Sequence, residues 1–512
     1  MKKAFILFPT SLFKVEYFPK AFLMNDKDKQ RGEEITFYLV EDPVFFGYRE
    51  KKMNFNQLKL VLHRASMRYY YDYLRKELSG IAKVKYIEFE KAKKGEVIDR
   101  ESGFTEIHLF DPVDHLLLEK VKKMASHYQV PLKIHPTPNF ITPLEDLEQY
   151  AKGKKKTFHY HFYEWQKKRM GMLDGIKSKD DENRQPPPRE GIRIPDLPDN
   201  PDLKLAYVDE AKKYVKKFFG NNYGNVEDFI YPITHQTSEE WFIHFLEHRF
   251  QHFGKYQDAI IPDEPFMFHS VISPMLNIGL LNPQWIVKQV SKYYQAKKIP
   301  LNNYEGFIRQ IIGWREYSRF LYMVVYKQIK NGNYFQNHQK LNKKWYLGTT
   351  GIRPVDETIK SAFQNGYLHH ILRLMVMGNF MNLCHLHPDQ VYQWFMEFSC
   401  DSYDWVMVNN IYSMALYADG GLTMQKPYLS SSNYILKMSN YQKDGHWEEI
   451  WNALYYYFLY DKENEIKKTQ MARNLVIWRK KSAIEKKKIK ELAKKIIREL
   501  TEDSLTPMDK MD

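Results

Sequence analysis

Hydrophobic and polar positions change rhythm about 200 residues into the chain. Before that point, apolar runs of strand length at 4–8, 35–40, 84–89, 106–110 and 132–134 alternate with amphipathic stretches. The clearest amphipathic stretch is a helix over 54–78, where Leu58, Leu62, Ala65 and Tyr69 recur at helical spacing. Strands alternating with helices predict a doubly wound parallel sheet, an α/β domain over 1–150. Beyond residue 200 the strand signals stop. Apolar positions then recur at the helical period in 237–253, 284–297, 305–330, 357–381, 388–400, 446–460 and 466–500, with no short repeat, so 201–512 reads as one large helical domain. Residues 151–200 form a connector with a basic run (Lys152-Gly-Lys-Lys-Lys156), an aromatic run (Phe158 to Trp165) and Gln185-Pro-Pro-Pro188. Interleaved basic and aromatic residues suit either a solvated linker helix or contact with a nucleic-acid backbone and its bases.

Composition adds two constraints. Lys and Arg outnumber Asp and Glu 77 to 63, a net charge of +14, which fits a polyanionic partner or a solvated basic surface. The last helix contributes Arg479-Lys-Lys481 and Lys486-Lys-Lys488 to it. The two cysteines, Cys384 and Cys400, rule out a disulfide framework and any C-x-x-C metal site. The apolar run before Pro9 is too short for a signal peptide and no stretch has transmembrane length, so a soluble intracellular protein is expected. A G-x-G-x-x-G or Walker loop is missing from the α/β domain, so an ordinary dinucleotide site is not expected there.

Candidate chemistry sits in the helical part. Over 305–322, Phe307, Ile311 and Trp314 share one helical face, with Gln310 and Arg315 beside it. The segment His269-Ser-Val-Ile-Ser-Pro274 is either a helix cap or an anion site, because hydroxyls and free amides at a helix start attract negative charge. His369 and His370 are adjacent on a helix and point about 100° apart, which disfavours joint metal chelation. The acidic run 180–184, with Asp180, is a charged turn or a place for a divalent cation, with Glu264 as a further carboxylate.

Together, the stretches 305–322, 366–375 and 401–410 resemble the flavin-binding core of the photolyase/cryptochrome superfamily. The likeness is closest to the bacterial (6-4) photolyases that carry an iron–sulfur cluster, the deoxyribodipyrimidine photolyase-related group. It implies an antenna domain followed by a helical FAD-binding domain. It also implies light-driven repair of (6-4) photoproducts in UV-damaged DNA by electron transfer from reduced FAD. The alternatives are a cryptochrome-like photoreceptor and a cyclobutane-dimer photolyase. The resemblance assigns FAD to Tyr256, His269, Ser270, Ser273, Gln310, Trp314, Arg315 and Asn409, and to an Arg373–Asp401 pair. His370 becomes the proton donor to the lesion, with Tyr428 and His369 beside it. Trp394, Tyr346 and Trp345 become the electron-transfer chain, while Phe395 cannot carry a hole as Tyr could.

Departures from the family pattern matter as much. The four cluster cysteines are replaced by Pro354, Gln442, Gly445 and Glu449, so no [4Fe–4S] cluster is expected, and Trp447 and Trp451 are expected to pack that region. Met407 stands where relatives commonly carry a glutamate near the flavin, with Asn409 or Asn410 as partial compensation. Pro9-Thr-Ser-Leu12 replaces the usual Gly-Asp-Gln-Leu turn, leaving the antenna chromophore open. A monomer, cytoplasmic or nucleoid-associated, completes the expectation.

Overall fold

The computed structural model describes residues 2–23, 34–98, 103–154, 156 and 158–502; Lys155, in the connector's basic run, lies outside them. Five parallel strands, β1 (Lys2–Leu7), β2 (Glu34–Val40), β3 (Lys83–Ile87), β4 (Glu106–Phe110) and β5 (Leu132–His135), form a sheet in the order β3-β2-β1-β4-β5. Phe5 lies opposite Phe37 on one side and His108 on the other. Covered on both faces, β1 and β2 are almost continuously buried from Ala4 and Ile35 onward, as a parallel sheet requires. The doubly wound α/β domain followed by helices is the fold class read from the sequence.

Helix α1 (Gln57–Glu77) starts at Asn56, whose side-chain oxygen accepts the Leu58 N–H at 2.9 Å. Its first three turns are buried all round rather than on one stripe, because helical-domain groups cover the second face. Asn56 Nδ2 donates to the Phe363 and Phe398 carbonyls, and His63 is hydrogen-bonded to the Tyr403 hydroxyl at 2.8 Å. Helix α2 (His115–Tyr128) is capped by Asp114, which also pairs with Arg49 at 2.8 Å. Arg49 approaches Asp404 of the helical part at 3.6 Å, and Asp404 accepts the Tyr322 hydroxyl at 2.6 Å. A buried charge network thus ties the two parts together.

Sheets of this topology accept ligands in the crevice beyond the carboxyl ends of the strands, where the strand order reverses. Here Phe45, Phe140, Tyr403 and Trp405 close that crevice to a void of about 10 Å³. One water needs roughly 10–15 Å³.

The connector contributes α3 (His159–Met170), followed by α4 (Ala206–Phe219). The helix expected over 305–330 is three segments: α5 (Leu301–Ile308), a π-helical stretch Arg309–Arg315, and α6 (Glu316–Val324). The one expected over 357–381 is broken too. α7 (Arg353–Asn365) stops at Gly366, whose φ of 58° is left-handed and where a side chain would strike Cys400 Sγ. The chain then resumes as a second π stretch, Leu372–Gly378, and a third occurs at Val408–Ala415. Helices α8 (Pro388–Phe398), α9 (Trp447–Asp461) and α10 (Ala483–Thr501) lie around and beyond these stretches.

At the positions of the absent cysteines, Pro354 is buried, whereas Gln442, Gly445 and Glu449 are exposed, Glu449 pairing with Lys488 at 3.1 Å. Trp447 and Trp451 are buried with rings 6.2 Å apart, and Trp451 packs on Phe380 at 4.8 Å. Among the described residues, no helix is long and apolar enough to cross a membrane.

Candidate functional site

All three π stretches border one cavity of about 930 Å³, at the upper end of the roughly 300–1,000 Å³ common for cofactor sites. A π turn packs one extra residue per turn, so it re-aims the side chains beyond it; such turns recur at binding sites. From the 305–322 stretch, Phe307, Gln310, Ile311, Trp314 and Arg315 all line this space. Trp314 is fixed by a face-to-face stack on His159 of α3, ring centroids 3.8 Å apart. Arg315 is buried, with Nη2 donating to the Asn139 carbonyl at 3.2 Å and Nη1 to the Asn277 side-chain oxygen. Its guanidinium also lies over Phe140 and Trp405. Burial, only partly offset by Glu316, pushes its pKa down to about 9, so this cation would gain from an anion in the cavity.

Opposite stands a charge-compensated pair. Arg373 Nη1 and Nη2 donate to Asp401 Oδ1 at 2.9 Å and Oδ2 at 3.0 Å. The Ser273 hydroxyl donates to Oδ2 at 2.6 Å and the Ser399 hydroxyl to Oδ1. Burial opposes ionisation of Asp401, but Arg373 and the two hydroxyls outweigh it and hold the carboxyl below its usual range. Ser273 opens a short helix, Ser273–Ile278, so its proton is committed to Asp401 while Ser270 lines the cavity beside it.

His370 and Tyr428 both line the cavity. His370 is exposed to this open space; the protein walls around it and then Arg373 push its pKa down to about 4. His269 lines the wall as well, with Nε2 unpartnered and a pKa driven to about 3, mainly by burial. His369 does not reach the cavity. The two histidines are not adjacent on a helix as expected: His369 ends the irregular segment after Gly366 and is buried, stacked on His269 at 4.8 Å, and the helix resumes only at His370.

Three further expectations need correction. Tyr256 points away, into a small cluster with Ala259, Met267 and Phe268, because it faces the chain at Ile192 and Ile194 rather than the cavity. Asn409 is buried against Ser318, donating to its Oγ at 3.1 Å; the π stretch turns Asn410 to the cavity instead, near Met407. The divalent-cation site is replaced by ion pairs. Asp180 binds Arg184 and Arg309, each at 2.6 Å, which overcome burial and hold its carboxyl well below the usual range. Glu264 is set against Arg249, and among the described residues no group of three candidate metal ligands occurs.

Several wall residues were assigned no role from the sequence, although Asp258 closes the family-like stretch Tyr256-Gln-Asp258 and Arg184 the charged run 180–184. Asp258, lifted by burial to about 6, faces Arg184 and Arg309 at the Tyr428 side. His159 sat unrecognised in an aromatic run. Behind the cavity, Trp394 is buried and does not line it; Phe398 lies 4.8 Å from its ring and 5.5 Å from the Arg373 guanidinium. Trp394 Nε1 donates to the Trp345 carbonyl at 2.8 Å, while the Trp345 ring turns away to Phe380, its own Nε1 donating to the Leu500 carbonyl.

Two family models cover most of the chain. Deoxyribodipyrimidine photo-lyase-related protein matches residues 22–231, and FAD binding domain of DNA photolyase matches 307–472. A (6-4) photolyase from Agrobacterium fabrum is 29% identical over 488 residues, spanning 91% of this chain and 94% of that protein. The chain belongs to the photolyase/cryptochrome superfamily, in its deoxyribodipyrimidine photolyase-related group. An uncharacterized protein of Acanthamoeba polyphaga mimivirus is 61% identical over 93 residues, 18% of this chain and 76% of that protein. The crystal structure of a Synechocystis sp. cryptochrome shares the fold, with a TM-score of 0.54 at 13% identity over 98% of this chain and 99% of that one.

The cavity of this superfamily member lies largely within the matched FAD-binding domain, and its residues fit that cofactor. Arg315, with only neutral acceptors of its own, suits a diphosphate, and Trp314 offers a flat wall to a ring.

Proposed function

We propose that this protein is a light-dependent DNA repair flavoprotein that reverses (6-4) pyrimidine photoproducts, organised as an antenna domain (1–150), a connector (151–200) and a catalytic domain (201–512). The observation that carries the reading is one cavity whose wall includes His370, Tyr428, Trp314, Arg315 and the Arg373–Asp401 pair. FAD would be held by Arg315, Gln310, Ser270 and Trp314, with the Arg373–Asp401 pair offering further polar contacts from the same cavity wall. When bound and reduced, FAD supplies the electron that light transfers to the lesion.

The chain's own residues do the rest. The net charge of +14 draws in the DNA backbone. A lesion must leave the duplex to enter the cavity. His370 then presents its imidazole and Tyr428 its hydroxyl to the flipped bases. In the open cavity His370 is neutral at pH 7, with a pKa near 4, so it must gain a proton on binding; phosphate groups of the lesion raise its pKa by opposing Arg373. Support for the (6-4) specificity comes from the His370–Tyr428 side of the cavity and from the Agrobacterium fabrum relative.

A second reading, a blue-light photoreceptor of the cryptochrome kind, is favoured by Met407 on the cavity wall, which can neither accept a proton nor hold charge. One experiment separates the two. Reduced, FAD-loaded protein is mixed with an oligonucleotide carrying a (6-4) photoproduct and illuminated with blue light. Restored bases, lost in His370→Ala with flavin binding intact, support repair. An unchanged photoproduct sinks the repair reading, and purified protein free of flavin sinks both.

A further inference from the structure

Helix α8 carries Trp394 and, three residues on, Glu397, one of the most deeply buried carboxylates of the helical part. Its oxygens have divided roles. Oε1 accepts the Asn54 N–H at 2.9 Å and the Gln393 side-chain N–H at 3.0 Å. Oε2 accepts the Tyr346 hydroxyl at 2.8 Å. These partners are a backbone amide, a carboxamide and a phenol, so burial wins and lifts the Glu397 pKa. The Tyr346 pKa is lifted too, by burial and then by Glu397 itself, so the phenol keeps its proton at rest.

Trp394 is linked to Tyr346 by an unusually direct path. The Trp394 indole N–H donates to the Trp345 carbonyl at 2.8 Å, and that carbonyl belongs to the peptide bond leading into Tyr346. Phe363 fills the space between the two rings, 5.8 Å from Trp394 and 6.0 Å from Tyr346. Tyr346 also stacks on the half-buried Tyr223, centroids 4.7 Å apart and planes within 15°, and Tyr223 packs on Phe363 at 5.1 Å.

We propose that Tyr346 and Glu397 form a proton-coupled oxidation unit, in which Glu397 takes the phenolic proton as Tyr346 gives up an electron. The proposal rests on the flavoprotein function proposed for the cavity, with light driving electrons from protein aromatics into bound oxidised FAD. Trp394 first loses one electron to the photoexcited flavin. Tyr346 then passes one electron to the oxidised Trp394, which returns to a neutral indole with its N–H intact. At the same time the Tyr346 O–H bond breaks and an O–H bond forms on Glu397 Oε2. The products are a neutral tyrosyl radical and a neutral carboxylic acid, with the flavin one electron richer. Without an acceptor, a buried phenol that loses an electron must keep its proton as a strongly acidic cation; a carboxylate 2.8 Å away removes that obstacle. Tyr223, stacked on Tyr346 and packed on Phe363, extends the same aromatic cluster. Glu397 acts through Tyr346 and is a positioning and proton-accepting residue.

The test is flash photolysis of the FAD-loaded, oxidised protein, monitored by transient absorption and EPR. Wild type is expected to show a tryptophan radical replaced by a neutral tyrosyl radical, more slowly in D2O. Tyr346→Phe, which preserves the packing, leaves the tryptophan radical alone. Glu397→Gln slows tyrosyl formation by about 100-fold, the lower end of what a positioned proton acceptor contributes, while Glu397→Asp recovers part of it. A tyrosyl radical formed at the wild-type rate in Glu397→Gln overturns the proposal. So does a tryptophan radical with no tyrosyl successor in wild type, an outcome that leaves the flavin reading standing. No protein radical at all overturns both.

Discussion

His370 owes its state to two neighbours in sequence. His369, the last residue of the irregular segment before the helix resumes, is buried behind it, and Arg373, one turn on, adds a positive charge beside the ring. The His370 ring itself is exposed to the open cavity, but the protein walls around it and that charge both disfavour the imidazolium, so its pKa moves down to about 4, below the unfolded value of about 6.5. Between these values the unfolded chain binds more protons, so this group lowers stability as pH falls from about 6.5 to about 4. In the proposed repair reaction the acid form is the useful one. Imidazole NMR signals of His370 are expected to show a neutral ring at pH 6 without DNA and a raised pKa with lesion DNA bound. The repair rate is then expected to fall as pH rises through the bound-state pKa, and His370→Ala should lack that limb. A repair rate independent of pH across the bound-state titration would remove the proton-donor role.

At the scale of elements, the π stretch Arg309–Arg315 depends on close contact with α3. A side chain at Gly313 would meet His159 Nε2 at 2.9 Å and the Tyr163 ring at 3.2 Å. Alanine gains up to about 1 kcal/mol of helix propensity over glycine, but overpacking typically costs about 1–3 kcal/mol. His159 is clamped against Trp314 and cannot yield cheaply, so the clash wins. Gly313→Ala is expected to lower stability by about 1 kcal/mol or more in urea unfolding and to change Trp314 fluorescence; a stabilised variant would refute the tight fit. The same element shows how far the sequence was legible. Strands such as β1 could be read because parallel sheets bury both faces, leaving the uninterrupted apolar run 4–7. Phe307, Trp314 and Arg315 were legible as a group because each faces the cavity despite the altered turn. Asn409 was misread for Asn410, and the breaks at 309 and 366 were missed, since a π turn leaves apolar spacing nearly unchanged while rotating the residues beyond it. Asp258, Arg184 and His159 lie in stretches visible in the sequence, but they come together only through tertiary packing of the connector on the helical part, which local sequence does not report.

At the scale of the molecule, Arg49 joins the two domains through a cluster that neither builds alone. Asp114 belongs to the α/β part, where it also caps α2 through the Leu117 N–H at 3.1 Å. Asp404 belongs to the helical part and lies beside Trp405, which lines the cavity. Burial opposes ionisation of Asp404, but Arg49, Lys330 and the hydroxyls of Tyr322 and Tyr392 outweigh it and hold the carboxyl below its usual range. Removing Arg49 takes from Asp114 its paired cation and leaves Asp404 to Lys330 and the two hydroxyls, and breaking a buried pair in this way costs about 3–5 kcal/mol. Arg49→Met is therefore expected to unfold in urea well before wild type. Its loss should appear in both domains, read separately by the α/β part's far-ultraviolet signal and by flavin release. Adding Asp114→Asn and Asp404→Asn is expected to recover most of the loss, because the penalty lies in the uncompensated charges rather than in a missing contact. If the single variant loses less than about 1 kcal/mol, or the triple variant is no more stable than the single one, Arg49 is not what couples the sheet to the flavin cavity.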